Sequence, residues 1–257
     1  MIEDRFARYP SLRGKIVLIT GGGSGIGASM VEHFTHQGAR VVLFDVAEDP
    51  SLELVRRLAE NSQHAPLFLP CDLTDIATLR SSIQKAEQAV GPIEVLVNNA
   101  ANDQRHKWEE ITPEYWDRSM EVNLRHHFFA IQATAPGMKS RGQGSIINMS
   151  SISWMLPSTG LPAYVTAKAG IVGLTRTMAR ELGPSGIRVN CVLPGAIHTE
   201  KQRRLVWTPE YMEKIMAGQS IKRAIMPEDV ARLILFLAAD DSSAITGQSY
   251  VIDGGWV

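Results

Sequence analysis

The strongest constraint on the fold is an alternation of two apolar rhythms along the chain. KIVLIT (15–20) is short, β-branched and followed by glycines, which predicts a buried strand. GIGASMVEHFTHQG (25–38) then carries apolar residues at helical spacing and ends in Gly38, a natural helix cap. ARVVLFDV (39–46) predicts a second strand. A helix around 51–61, a strand at 67–70, a helix at 75–90 and a strand at 94–99 follow. Thr112 and Pro113 supply the cap and first-turn signals of a long helical region over 112–139. A strand at 144–150, a helix at 162–183, strands at 187–194 and 249–253 and a helix at 227–239 complete the pattern. Such alternation predicts an α/β fold with a parallel sheet covered on both faces. Right-handed crossovers make it an open, doubly wound sheet of Rossmann type.

The 257 residues suit one domain better than two, and no linker or repeat divides 1–257. The segment 197–222 lacks a clear rhythm and carries Trp207, Tyr211, Met212 and Met216 among charges. It reads either as a substrate lid beyond the strand ends or as a static surface helix pair. A formal net charge of −1 gives no electrostatic reason to expect nucleic acid. No apolar run approaches a membrane span and no apolar leader precedes the first strand, so a cytoplasmic protein is expected. Cys71 and Cys191 lie too far apart for a metal knuckle or a redox pair and read as small buried hydrophobes. His126 and His127 pair with no other ligand at metal-site spacing and read as packing or interface residues, so no metal is expected.

Thr20-Gly21-Gly22-Gly23-Ser24-Gly25-Ile26-Gly27 joins the first strand to the first helix. Glycines let backbone N–H groups approach a ligand closely, and a helix N-terminus offers free donors to a pyrophosphate. The spacing is G-x-x-x-G-x-G and lacks the lysine of a P-loop. Asp45 ends the second strand, where an acid accepts hydrogen bonds from the adenosine ribose hydroxyls. It would also repel a 2′-phosphate by roughly 4 kcal/mol at about 4 Å and an effective dielectric near 20. Neither Ser24 nor Val46 supplies a compensating cation, so NAD is expected over NADP. Tyr164 and Lys168, four apart, share one helix face. With Ser151 before them they offer proton transfer without a metal. An ammonium and the positive ring of an oxidised cofactor would both stabilise a tyrosine phenolate.

These elements together resemble the short-chain dehydrogenase/reductase family along essentially the whole chain. The matching runs are TGGGSGIG, CDLTD (71–75), NNAA (98–101), EVN (121–123), IINMSS (146–151), AYVTAK (163–168), RVNCVLPGAIHT (188–199) and IDGG (252–255). The resemblance implies a seven-stranded parallel sheet with helices on both faces. It implies Tyr164 as general base and Ser151 as the partner of the substrate oxygen. Lys168 would bind the nicotinamide ribose and lower the tyrosine pKa, and Asn123 would hold a water in a proton relay. The cofactor set it implies is Gly21, Ser24, Gly25, Ile26, Gly27, Asp45, Val46, Asp72, Leu73, Asn99, Tyr164, Lys168, Pro194, Gly195, Ile197 and Thr199. Asp72 would contact adenine, Asn99 would line the cleft, and the last four would hold the nicotinamide carboxamide. Ala101 stands where the family more usually has glycine. A homotetramer built on the long helices and the C-terminal segment is also implied.

The runs 98–117, 122–130, 150–157 and 207–215 are similar to those of bacterial aldose 1-dehydrogenases of this family, of the galactose, xylose and arabinose type. That similarity implies oxidation of the anomeric hydroxyl of an aldose to its lactone. Sugar recognition needs hydrogen-bonding groups and a flat apolar face. Asn102, Asp103, His106, Ser151 and Ser153 would supply the first and Trp154 the second. Other readings stand beside these: His106 as a surface or subunit contact, Asp103 with Arg105 as a loop salt bridge, Trp154 as core. The competing functions are a dehydrogenase of a polyol or other secondary alcohol, a 3-oxoacyl reductase, and a non-catalytic dinucleotide-binding regulator.

Overall fold

The structure is a computed structural model that describes residues 6–205 and 208–257; Trp207 of the expected lid lies outside the described residues. Seven strands form one sheet: β1 (Ile16–Thr20), β2 (Arg40–Asp45), β3 (Leu67–Pro70), β4 (Val95–Asn98), β5 (Gly144–Met149), β6 (Ile187–Pro194) and β7 (Ser249–Ile252). Their order is β3-β2-β1-β4-β5-β6-β7 and every pairing is parallel. Central β1 is buried at every position, as a strand covered on both faces must be. Val17 and Ile19 face one apolar layer with Met30, Val31, Phe34, Val230 and Ile234. Ile16 and Leu18 face the other, with Leu79, Ile83, Ala130, Ile131 and Met138. Each such side chain contributes roughly 1.5–3 kcal/mol on burial.

The helices that supply these layers are α1 (Gly25–His36), α2 (Glu48–Ala59), α3 (Ile76–Val90), α4 (Pro113–Met120), α5 (His126–Arg141), α6 (Pro162–Leu182) and, near the C-terminus, α9 (Pro227–Ala238). The expected lid contributes α7 (Glu200–Leu205) and α8 (Pro209–Gly218), so most of it is helical. Thr112 caps α4 by accepting the Tyr115 N–H, as its position before Pro113 predicts. Two expectations shift. The second helix begins at Glu48 rather than near 51. The helix over 112–139 is interrupted by a π turn at Glu121–Arg125 and then runs on to Arg141. That wide turn re-aims Asn123 without ending the helix.

The sheet order reverses between β1 and β4. The loop after β1 and the loop after β4 therefore leave the same edge side by side and open a crevice at the carboxyl ends of the strands.

Candidate active site

The crevice is built first by the turn from β1 into α1. Gly21 has φ +64°, in the left-handed region that favours glycine. Gly27 packs on the same turn, and a Cβ there would stand 1.8 Å from the Gly21 carbonyl oxygen. Asn99 Nδ2 donates to the Thr20 and Gly21 carbonyls at 3.0 and 2.9 Å, clamping the turn to β4. Asp45 accepts from the N–H groups of Gly23 at 2.8 Å and Ala47 at 3.0 Å, which fixes its carboxylate beside the turn. The first intrahelical bond of α1 runs from the Ala28 N–H to the Ser24 carbonyl. The N–H groups of Gly25, Ile26 and Gly27 therefore precede any intrahelical acceptor, as an anion-binding helix start requires. Close-packed glycines, free helix donors and a fixed acid form a donor set that fits a nicotinamide dinucleotide.

The rest of the expected cofactor set lines up along the strand ends. Val46 is exposed at the rim and Leu73 is buried. Asp72 accepts from the Thr74 N–H at 2.9 Å and the Thr74 hydroxyl at 2.6 Å, and faces Arg118 at 3.5 Å. The Thr74 hydroxyl chiefly holds that carboxyl below its ordinary value. On the far side Pro194 ends β6, and the Gly195 N–H donates to the Ile252 carbonyl at 3.0 Å. Ile197 is buried and bridges to Ile225, while the Thr199 methyl lies 3.3 Å from where a Gly25 Cβ would stand. Ala101 is tolerated because no non-glycine residue among those described has a positive φ.

The expected catalytic residues come together from β5 and α6. Ser151 leaves β5 in extended backbone, and its hydroxyl accepts the Ser153 N–H at 3.1 Å. The same hydroxyl lies beside Tyr164 and favours its ionised form. Lys168 lies one turn further along α6, on the buried stripe of that helix, 1% exposed. Its Nζ donates to the Met149 carbonyl at 2.8 Å and sits 5.5 Å from the centroid of the Tyr164 ring. Burial pushes the Lys168 ammonium down to about 8, with Cys191 and Asp103 pulling upward.

The Tyr164 hydroxyl is governed first by burial. Burial pushes it well above its ordinary value, the Asp103 charge adds to this, and the Ser151 hydroxyl opposes both. The Lys168 ammonium faces the tyrosine ring and directs an N–H at the Met149 carbonyl. Asn123 is buried in the π turn. Its Oδ1 accepts the Asn102 N–H at 2.9 Å and its Nδ2 donates to the Ser119 carbonyl at 3.0 Å. It thereby ties α4 to the loop after β4.

That loop carries the expected sugar residues. Asp103 accepts from Gln202 Nε2 at 2.5 Å, and its charge acts on both Tyr164 and Lys168. Arg105 donates to the Thr159 carbonyl at 3.1 Å. The His106 ring packs on Tyr115 at 4.1 Å between centroids, and the His106 backbone N–H donates to the Gly160 carbonyl at 2.9 Å. Ser153 is partly buried and Trp154 is 37% exposed on the turn after β5.

His126 and His127 are both fully buried within the chain, 4.4 Å apart between ring centroids, so packing rather than an interface describes them. Burial pushes His126 down to about 3. Both cysteines are free and buried, and burial pushes Cys191 up to about 12. Among the described residues no three metal-ligating side chains converge, and no helix is long and apolar enough to cross a membrane.

Two residues with a part in the site escaped the sequence reading. The Thr20 hydroxyl accepts the N–H groups of Asn99 and Ala100, at 2.9 and 3.2 Å. A threonine closing a strand before a glycine turn was its visible signal. Gln202 reaches Asp103 across 99 residues of sequence and had no signal at all.

The comparisons agree with this geometry. Residues 21–257 match a family model described as "Enoyl-(Acyl carrier protein) reductase". The chain is 50% identical over 250 residues to a D-xylose 1-dehydrogenase of Caulobacter vibrioides, covering 97% of this chain and 98% of that one. It is 49% identical over 249 residues to "Probable galactose dehydrogenase GalD" of Rhizobium meliloti, covering 97% of each. A short-chain type dehydrogenase/reductase from Mycobacterium ulcerans superposes with a TM-score of 0.91 at 27% identity, covering 96% of this chain and 90% of that one. The chain thus belongs to the short-chain dehydrogenase/reductase family of oxidoreductases.

Proposed function

We propose that the chain oxidises the anomeric hydroxyl of an aldose, such as xylose, galactose or arabinose, to the aldonolactone, with NAD as the oxidant. The observation that carries this reading is the Ser151–Tyr164–Lys168 group, set in a chain half-identical to a named sugar 1-dehydrogenase. The nicotinamide dinucleotide that the family uses supplies, when bound, the hydride acceptor. The chain positions the substrate and handles the proton. Ser151 holds the substrate oxygen against Tyr164, and Tyr164 takes the hydroxyl proton as general base. Lys168 binds the nicotinamide ribose and keeps a positive charge behind the tyrosine.

Gly21, Ser24, Gly25, Ile26 and Gly27 hold the pyrophosphate. Asp45 and Val46 meet the adenosine ribose, and Asp72 and Leu73 meet adenine. Asn99 holds the floor, and Pro194, Gly195, Ile197 and Thr199 hold the carboxamide. The carboxylate of Asp45, fixed by two N–H groups, favours NAD over NADP. Asn123 braces the loop carrying the sugar residues Asn102, Asp103 and His106, while Ser153 and Trp154 face the sugar from the turn after β5. Residues 197–222 cap the substrate side. The exposed Phe128 and Trp116 on the helices over 113–141 suit a homotetramer, and the cytoplasm is its proposed compartment.

A screen of NADH formation with pentoses, hexoses, 6-deoxyhexoses and polyols tests the substrate class. Turnover of aldoses but not alditols is expected. Turnover of polyols alone, or of acyl ketones alone in reverse, overturns the reading. Tyr164→Phe loses most turnover while keeping NAD binding, and equal activity in that variant refutes the base. A monomer on sizing removes the tetramer.

A further inference from the structure

We propose that Gln202 and Asp103 form one hydroxyl-reading pair, which makes Gln202 a specificity-determining residue for a polyhydroxylated substrate. The proposal rests on the aldose reading above and adds to it a residue and a mode of recognition.

Four observations carry it. Gln202 Nε2 donates to Asp103 Oδ2 at 2.5 Å, and both side chains are only partly buried. Asp103 lies close enough to both Tyr164 and Lys168 for its charge to act on each. Each partner is anchored to a different part of the site. The Gln202 N–H donates to Thr199 Oγ1 at 3.2 Å, and Thr199 lies against Gly25 of the phosphate turn. The neighbouring Asn102 N–H is held by Asn123 at 2.9 Å. The pair therefore bridges the cofactor turn and the loop after β4.

Hydrogen-bond chemistry gives the pair its selectivity. A carboxylate only accepts, whereas a primary amide carries two donors and an acceptor. A sugar hydroxyl can donate to Asp103 while accepting from Gln202, and a vicinal hydroxyl can donate to the amide oxygen. An alcohol bearing a single hydroxyl makes at most the first two bonds and leaves the amide oxygen without a hydroxyl donor. The carboxylate also works against the general base, because it disfavours the phenolate of Tyr164. Recognition of hydroxyl donors is the gain that offsets this cost.

The test is steady-state kinetics of wild type, Gln202→Ala and Asp103→Asn with the best aldose and each of its monodeoxy analogues, together with the NAD dissociation constant. Gln202→Ala is expected to raise the KM for the aldose by about 10-fold or more, with NAD affinity and melting temperature unchanged. The penalty should vanish for the one analogue that lacks the hydroxyl the pair reads. Asp103→Asn should show the same pattern on the same analogue. A Gln202→Ala variant with an unchanged KM overturns the pair, and so does a penalty equal for every deoxy analogue, which marks a merely structural tie. Wild-type protein that forms no NADH with any aldose overturns the substrate reading and the pair with it. Wild-type turnover with an unaltered variant overturns the pair alone.

Discussion

Lys168 is a positive charge placed where an apolar residue would pack, and replacing it should separate stability from function. Its ammonium is 1% exposed and lowered from 10.5 to about 8. An unfolded chain holds this proton up to its ordinary value of 10.5, whereas the folded chain releases it near pH 8. Between those values the unfolded state binds more protons, so stability rises with pH. The penalty is fully present below pH 8 and is relieved as pH approaches 10.5. At 1.36 kcal/mol per unit, the shift corresponds to about 3 kcal/mol.

Lys168→Met keeps the length of the side chain and removes the charge. It also forfeits the 2.8 Å bond to the Met149 carbonyl, a loss of about 1–3 kcal/mol. At pH 7 the two effects nearly offset, so the variant should be as stable as wild type or slightly more so, while turnover collapses. The decisive quantity is the difference between the two proteins as pH changes. Urea unfolding at matched protein concentration, from pH 7 to 10.5, should show wild type gaining about 3 kcal/mol relative to the variant. Groups common to both proteins cancel in that difference. A difference that stays flat over the whole range would refute the claim that the fold holds Lys168 as a buried cation.

Other perturbations test the rest of the site and the core. Asp45→Asn removes the charge expected to repel a 2′-phosphate, and the NADP-to-NAD ratio of kcat/KM should rise by up to about 10³-fold; an unmoved ratio contradicts the assigned role. Gly27→Ala places a methyl carbon 1.8 Å from the Gly21 carbonyl oxygen, so the turn must move. Fluorescence titration should show dinucleotide affinity falling by at least about tenfold, while circular dichroism stays native. Ile234→Ala opens a cavity in the layer between β1 and α9 and should cost about 2–5 kcal/mol in chemical denaturation, with no change in the KM for either substrate.

Much of the framework was legible because it rests on local chemistry. The ranges 67–70 and 187–194 coincide with β3 and β6, since short apolar runs flanked by proline or glycine leave little freedom. Thr112 followed by Pro113 marked the start of α4 because capping involves only the next few residues. The start of α2 was placed late. Glu48 and Asp49 favour a helix start through the dipole, but no capping side chain announces it. The π turn at 121–125 was invisible because one extra residue in a turn barely disturbs apolar periodicity.

The sequence by itself determined the order of strands and helices, the glycine turn and the spacing of Tyr164 and Lys168, because each depends on residues within a few positions of one another. Only the tertiary structure decided what those groups experience. It set Asn99 on the glycine turn from 78 residues away, buried Lys168, and brought Asp103 into a hydrogen bond with Gln202 and within reach of the tyrosine by its charge. Desolvation and charge coupling act through space and depend on everything packed around a group. No stretch of neighbouring residues could have foretold that burial and the Asp103 charge both act on the Tyr164 hydroxyl.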